Sequence, residues 1–429
     1  SASRSRSARW RCPSPGRDGR RALEVCATEL SRNDPDCVHF GPGLTSSYFL
    51  DPETGERRKS RRGDPKKTAL ICDALDNIDY VMGLGLIDDV KPELAPLYEF
   101  AEMVVGTRKP NIPWAYSLEN VRDLYRIAVA VAGDEESLQE RPFFALFATS
   151  QAPLQHTGQR MGTALWAAEH GIPVVYLGGG SAGSTAPVTG AGALVVSLAS
   201  SLSGLAAIQL KAPGAAVCIG AVPSAMDLRT ARPSYGGPEM SLYSAAFAEL
   251  ARYLGVPFMG TAGASESKLL DTQAAIESTV QVLLSGLSST TLVHDAGFLD
   301  CADIGSLEML VMTDEIIALA RRVLRGIEVS DETLMLDLID EVGPGGHFIG
   351  TKETAKRCRE EIWVPTLMDR DPWESWMASG RPTMLDRVRE RVRAILDTHR
   401  PPPLPQGVVD EIEAVLAAAE ERLATKERP

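Results

Sequence analysis

Short apolar runs alternate with amphipathic or small-residue segments from about residue 66 onward. Runs at 78–82, 111–116, 143–148, 173–177, 215–219, 257–260 and 290–294 predict strands. The segments near 93–105, 118–132, 158–170, 190–210, 238–254, 269–286 and 307–325 predict helices. Strand and helix follow one another with a period of roughly 30 to 40 residues, the pattern of a parallel α/β architecture. An eighth strand falls at 346–349 or near 38–40. With it the units make a (β/α)8 TIM barrel a better fit than an open sheet.

Within this pattern, residues 171–210 hold no Asp, Glu, Lys or Arg, although 24% of the chain is charged. The run predicts a strand buried on both faces, a tight Gly/Ser loop and a fully enclosed helix. Residues 190–210 have the length of a membrane span, which needs about 20 apolar residues. Their Ser, Gly and Ala content, with no aromatic belt or flanking Lys/Arg cluster, points instead to a unit of the barrel. Gly178, Gly180 and Gly183 match G-x-G-x-x-G, yet the acid expected roughly 20 positions later is missing. The first acid is Asp227, which excludes a nicotinamide site. Further on, Thr313 predicts the N-cap of a helix over 314–325, with Gly326 as its stop.

Charge changes the picture at the start of the chain. Residues 1–21 carry seven Arg against one Asp, a local +6, so a net charge of −13 leaves −19 on the rest. That acidic body excludes a nucleic-acid partner. The basic start has no apolar core of a secretory signal, and residues 1–36 form an atypical basic tail. Seven Cys without a C-x-x-C pair predict free thiols in a reducing cytoplasm. No two His stand at zinc-ligand spacing, so no metal is expected. Residues 37–360 form the barrel. Residues 361–429 form a helical extension packed on it, with Pro401–Pro405 as a rigid connector to a final helix over 407–423.

Sites in such barrels lie at the carboxyl ends of the strands. The loops there are rich in small, hydroxyl and aromatic residues and poor in cations, which suits a cationic or bulky organic ligand rather than a phosphate. Trp114, Tyr116, Tyr235, Phe258 and Phe298 are the walls available, each with core packing as its plainer role. His294 and Asp295 end a strand and suit proton transfer or ligand orientation. Asp271 and Gln273 open the next helix, where capping is the plainer role. His347 lies in the turn Gly343-Pro-Gly-Gly-His347.

Several stretches together resemble the trimethylamine:corrinoid methyltransferase family and its pyrrolysine-free, glycine betaine-type members. They are Asp51-Pro-Glu-Thr-Gly-Glu-Arg57, Asn77-Ile-Asp79, Lys109-Pro110 and Gly183-Ser-Thr-Ala-Pro-Val-Thr189. Gly237-Pro-Glu239, Ser267-Lys-Leu-Leu-Asp-Thr-Gln-Ala274 with Glu277, Asp314-Glu315-Ile316, Gly343-Pro-Gly-Gly346 and Trp363-Val-Pro365 with Trp376 follow. They span about residues 37 to 405.

The resemblance implies a TIM barrel that passes a methyl group from a methylated amine to the Co(I) corrinoid of a separate small protein, in methanogenesis-type one-carbon metabolism. The corrinoid is then the cofactor, carried by the partner, with no bound metal or nucleotide. With this activity, the strand-end residues make His294, Asp295, Asp271 and Gln273 the expected catalytic groups, and Trp114, Tyr116, Tyr235, Glu239, Phe298 and His347 the expected substrate contacts. The loop bearing Gly180, Gly183, Ser184 and Thr185 would face the corrinoid. A homo-oligomer is compatible with it, whereas nucleic acid and membrane are not expected.

Two departures stand out. The trimethylamine enzymes of the family carry pyrrolysine, whereas this chain holds only standard residues. Glu353-Thr354 stands where His-Thr is expected. A quaternary ammonium such as glycine betaine is an activated methyl donor, because a neutral tertiary amine leaves without proton transfer. Alternatives that the residues leave open are a lyase or aldolase, with Lys268 as a Schiff-base group, and a betaine-binding homologue without catalysis.

Overall fold

A computed structural model describes residues 38–426. The basic tail expected over 1–36, with Cys12, Cys26 and Cys37, lies outside the described residues. The fold is mixed α/β, built on a curled sheet of six parallel strands. In spatial order these are His39–Pro42, Leu292–Ala296, Phe258–Thr261, Val217–Val222, Val174–Gly179 and Leu146–Thr149. Every pair is parallel, with Leu146 beside Val174 and Val174 beside Val217. Parallel strands covered by helices are buried on both faces, which explains their nearly uniform Val, Ile and Leu content.

The eighth strand resolves to the earlier of its two placements, since His39–Pro42 pairs with Leu292–Ala296. Residues 346–349 are instead an exposed turn before the helix Lys352–Glu361. The runs at 78–82 and 111–116 make single parallel bridges rather than full strands, at Val81–Asn111, Asn111–Phe144 and Trp114–Phe147. Pro110 and Pro113 lack the N–H groups that a continuous ladder needs, which limits pairing there.

All seven predicted helices start and end within about three residues of expectation. Ser117, Thr157, Thr189 and Asp271 each accept an N-terminal backbone N–H from within the first turn. The helix over 307–325 has its expected span, but its N-cap is not Thr313 and its start is not at 314. It begins at Leu307 behind Ser306, whose hydroxyl accepts from Met309 N, and Thr313 lies inside it with its Oγ1 bonded to Met309 O. Ser306 lies seven residues earlier, so the Asp-Glu pair is internal to a longer helix. Glu315 is buried and binds the chain from Thr366 to Met368.

The charge-free helix departs further from expectation. Gly190–Lys211 is long and apolar enough to cross a membrane by length and composition, but only one of its faces is covered. Ser197, Ser200, Ser201 and Gly204 are buried against the sheet, and Ser201 Oγ donates to Gly220 O at 2.7 Å. Gly204 has no room for a side chain, because a Cβ would lie 2.2 Å from the Tyr176 ring. Val195 and Leu210 point outward. Small residues serve close helix–sheet packing on one side of this helix, not burial on all sides.

The C-terminal helices Met384–Thr398 and Gln406–Lys426 pack on the outside. The first contacts Leu307–Leu324 and Asp64–Ala74, the second Leu118–Ala132 and Ala95–Gly106. His399 Nε2 sits 2.7 Å from Asp73 Oδ2, and Arg422 pairs with Asp123.

Candidate active site

Alternate residues of the parallel strands point to the inside of the curl. Tyr80, Met82, Ile112, Val175, Leu177, Cys218, Met259 and Leu292 fill this interior, with Trp114, Phe147 and Val222 packed on them. The same alternation carries Thr261 and His294 into the last layer before the strands end. Thr261 Oγ1 lies 3.3 Å from His294 Nε2, and Phe147 meets the imidazole edge-on with centroids 6.0 Å apart.

His294 Nδ1 approaches Asp295 Oδ1 to 2.5 Å, at an angle that makes no hydrogen bond. Both Nδ1 of His294 and Oδ2 of Asp295 are therefore buried without a hydrogen-bond partner. Asp295 also holds a left-handed backbone, φ 82°. Strain and unsatisfied polar atoms at a strand end are features of functional sites.

A second unsatisfied group stands across the interior. Trp114 and Tyr116 form an edge-to-face pair with centroids 4.3 Å apart. Behind them, Glu99 on the helix Ala95–Gly106 accepts Trp114 Nε1 at 3.2 Å through Oε2, while its Oε1 has no partner. Gly83 makes room for this carboxylate, since a Cβ there would sit 2.0 Å from Oε1. Burial pushes the Glu99 carboxyl up to about 8, with only the Trp114 bond opposing it. Burial also raises the Tyr116 phenol, with Glu99 and Glu93 adding to it. Tyr116 keeps 40% of its surface exposed, so it stands at the rim.

Glu99 was not among the residues that sequence reasoning selected. Its signal was a single acid flanked by Tyr98 and Phe100 in an otherwise apolar stretch, Ala95-Pro-Leu-Tyr-Glu-Phe-Ala101. Arg160 was missed as well. It comes from the first turn of the helix Gly158–Glu169, and its Nη1 bonds Thr149 Oγ1 at 3.1 Å and Ser150 O at 3.3 Å. The rim thus holds one cation beside a strand end.

The other expected residues divide. Tyr235 is held near the rim by Glu266, which accepts its N–H at 2.6 Å, and its phenol is raised by burial and by the Asp295 charge. Phe298 is core rather than wall: it is 2% exposed and packs directly beneath Gly43. Phe258 likewise stacks on Phe247 on the helix side of the sheet, centroids 4.7 Å apart. Asp271 is an N-cap that accepts from Ala274 N at 3.0 Å. Gln273 donates to Glu277, whose other oxygen holds Ser265 and the Glu266 N–H. Glu239 is exposed in the first turn of the helix Pro238–Leu254. His347 is exposed in the turn before Lys352–Glu361.

In the loop after Val174–Gly179, Gly180 is buried against Ala186 and Val196, and Gly183 has φ 89°. Thr185 Oγ1 accepts from Ser181 N at 2.9 Å and Ser184 Oγ donates to Ser181 O at 3.3 Å, so both hydroxyls stabilise the loop itself. Lys268 donates to Glu266 O at 2.7 Å and pairs with Asp300 at 3.4 Å, which occupies it away from Schiff-base chemistry. Among the described residues no group of three His, Cys, Asp or Glu side chains could hold a metal ion. Two cavities, of about 520 and 420 Å³, lie at the opposite ends of the strands and do not touch this constellation.

Residues 34–424 match the profile of the trimethylamine methyltransferase family. A trimethylamine methyltransferase of Desulfitobacterium hafniense strain DCB-2 is 30% identical over 90% of this chain and 77% of its own length. One from Methanosarcina barkeri strain Fusaro is 31% identical over 89% and 77%. The glycine betaine methyltransferase of Desulfitobacterium hafniense strain Y51 is 29% identical over 89% and 80%. The crystal structure of a hydroxylamine MtmB complex superposes with TM-score 0.44 at 11% identity, covering 84% of this chain and 72% of that one. The family match over nearly all of the described residues, with sequence relatives of about 30% identity, means that the chain belongs to the trimethylamine methyltransferase family.

Proposed function

We propose that the chain transfers a methyl group from a quaternary amine, glycine betaine being the type, to the Co(I) corrinoid of a small partner protein. The observation that carries this reading is the buried, half-satisfied Glu99 carboxylate behind the Trp114–Tyr116 pair. Aromatic faces attract a weakly hydrated ammonium through their quadrupole. A carboxylate nearby in a dry site adds a counter-charge that water would otherwise screen.

Curvature supports placing this constellation inside a closed (β/α)8 barrel. Asp79 N bonds Phe40 O, Ile112 N bonds Val81 O, and Phe147 N bonds Pro113 O, so residues 78–84 and 111–114 bridge the two edge strands of the sheet. On this reading residues 37–360 are the barrel and 361–429 the helical extension, in a cytoplasmic enzyme whose described cysteines, Cys72, Cys218, Cys301 and Cys358, form no disulfide.

The reaction asks little of the protein beyond binding, desolvation and alignment. The C–N bond breaks with its electron pair going to nitrogen, and a neutral tertiary amine leaves. The reduced cobalt of the partner is the methyl acceptor. Trp114, Tyr116 and Phe147 exclude water around the ammonium, and Glu99 balances its charge. Arg160 at the rim suits the carboxylate of a betaine, which plain trimethylamine lacks; this favours a zwitterionic substrate. His294 and Asp295 orient the ligand from the opposite wall. The neutral loop Gly178–Thr189 leaves room for the partner to approach.

Anaerobic incubation with a reduced corrinoid protein and a panel of betaines is expected to yield the demethylated tertiary amine, read by mass spectrometry. Absence of demethylation with every quaternary amine would overturn the proposal. Binding of betaine without turnover would leave the non-catalytic homologue in its place.

A further inference from the structure

We infer that the substrate is a betaine carrying a hydroxyl group between its ammonium and its carboxylate, with Asp295 accepting from that hydroxyl. This rests on the methyl-transfer reading above and narrows it to one class of quaternary amine.

The strand Leu146–Thr149 ties the relevant groups together. Phe147 is the common neighbour: Trp114 pairs beside it across a parallel bridge, and its ring meets the His294 imidazole with centroids 6.0 Å apart. Thr149 lies on the same side of the strand as Phe147, about 7 Å further along it. Its Oγ1 accepts from Arg160 Nη1 at 3.1 Å, so the guanidinium stands at the level of Thr149. An ammonium seated against Trp114 is thus offset along the strand from the cation that meets the carboxylate. Glycine betaine has a single carbon between its two charges, and a longer carbon chain spans this offset better.

The facing strand, Leu292–Ala296, supplies the third contact. His294 faces the interior, and its Nδ1 lies 2.5 Å from Asp295 Oδ1, which brings the Asp295 carboxylate to the same mouth. The other oxygen, Oδ2, is buried without a hydrogen-bond partner, in a residue only 3% exposed. Burial and then the Asp295 charge raise the Tyr235 phenol, which sets that carboxylate near a second aromatic of the rim.

This unused oxygen selects among quaternary amines. A substrate that closes the mouth against water must bring a donor for Oδ2, or the buried acceptor is left unpaired. A quaternary ammonium has no N–H, and a carboxylate has no donor at all. A hydroxyl is the smallest donor that adds no charge, and its bond to a carboxylate is charge-assisted. The methyl transfer itself is unaltered. The C–N bond breaks with its pair going to nitrogen, reduced cobalt takes the methyl, and the hydroxyl departs with the tertiary amine. The carbon bearing that hydroxyl has its ammonium arm, its carboxylate arm and its oxygen held by three different groups. Only one enantiomer meets all three.

Calorimetric titration of the full chain with γ-trimethylammonio-butyrate and with each enantiomer of its β-hydroxy derivative tests this. One enantiomer should bind at least about tenfold more tightly than either of the other two compounds. Asp295→Asn, a side chain that tolerates the left-handed backbone at φ 82°, should shrink that preference. The expected loss is about fivefold, because a neutral amide oxygen is the weaker acceptor. Should this variant misfold by circular dichroism, the ratio between enantiomers in the wild type decides alone. Equal binding of the enantiomers, a butyrate bound as tightly as the better one, or no binding of any of the three overturns the inference. So does a preference that survives in folded Asp295→Asn, or tighter binding of a protonated methylamine, whose N–H would meet Asp295 instead. Methyl transfer is read separately. Demethylation of glycine betaine without any hydroxyl preference defeats this inference and leaves the proposed activity standing. Enantiomer-selective binding without demethylation of any quaternary amine defeats the activity and leaves the hydroxyl contact standing.

Discussion

The two ends of the strands are built on opposite principles. At the amino ends, buried charges are paired, although His39 Nε2 and Asn111 Oδ1 lack a partner. Lys109 Nζ donates to Cys72 O, Leu75 O and Ile78 O, each at 2.6 Å. Asn77 N bonds Asp314, and Arg321 reaches both Asn77 and Asp79. Burial works against the Asp79 charge, yet Arg321 and His39 hold its carboxyl down at about 2. At the carboxyl ends, Glu99, His294 and Asp295 are buried with atoms left unpaired. Folding neutralises the buried charges of the amino end, whereas the proposed function leaves those of the carboxyl end for a ligand to complete.

The largest expected effect breaks a buried network away from the strand mouth. Glu315 accepts from three backbone N–H groups and the Thr366 hydroxyl. Glu315→Ala orphans all of them and should cost about 3 kcal/mol or more in denaturant unfolding. Methyl transfer by the protein that remains folded should change little, because Glu315 lies away from the strand mouth.

Next comes the aromatic wall. Trp114→Ala removes a desolvated cation–π contact worth about 2 kcal/mol, so kcat/KM should fall about 30-fold. Stability will fall too, and binding measured on folded protein separates the two effects.

Glu99→Gln sharpens the comparison through pH. The folded-state value of Glu99 lies above its ordinary one, so folding favours the protonated form. Its stabilising share is full below about pH 4.5 and is lost as pH rises through about 8. Unfolding measurements should find the wild type weakened toward pH 9 by on the order of a few kcal/mol, and Glu99→Gln unaffected. Conversely, kcat/KM should rise with pH through about 8 as the carboxylate forms, and the variant should be flat. The smallest effect belongs to Asp271→Ala. As a cap it should cost about 1 kcal/mol of stability with an unchanged rate, and a lost rate would return it to the catalytic set.

This contrast explains what the sequence could tell. Periodicity placed the helices well, because most have a capping side chain and an apolar face. Strand positions 78–82 and 111–116 were visible as apolar runs, although proline reduces their pairing to bridges. Many stretches that carry the family resemblance, among them Asn77–Asp79, Lys109-Pro110 and Asp314–Ile316, build the amino-end network rather than the site. Glu99 escaped notice because an acid set between apolar neighbours has no periodic signature. Its meaning arises only when Gly83 and Trp114 enclose it. Phe298 misled for the opposite reason, since an aromatic after a strand reads alike as wall or as core. The exposed side of Gly190–Lys211 was hidden too, because small apolar residues fit an enclosed helix and a half-covered one equally well.

Calorimetric titration of glycine betaine into the wild-type protein at pH 7, in buffers of different ionisation enthalpy, tests the central claim most directly. An ammonium seated against Trp114 must pull the Glu99 carboxyl down from about 8, so binding should release most of one proton, and Glu99→Gln should release none. Binding without proton release in the wild type would contradict the account.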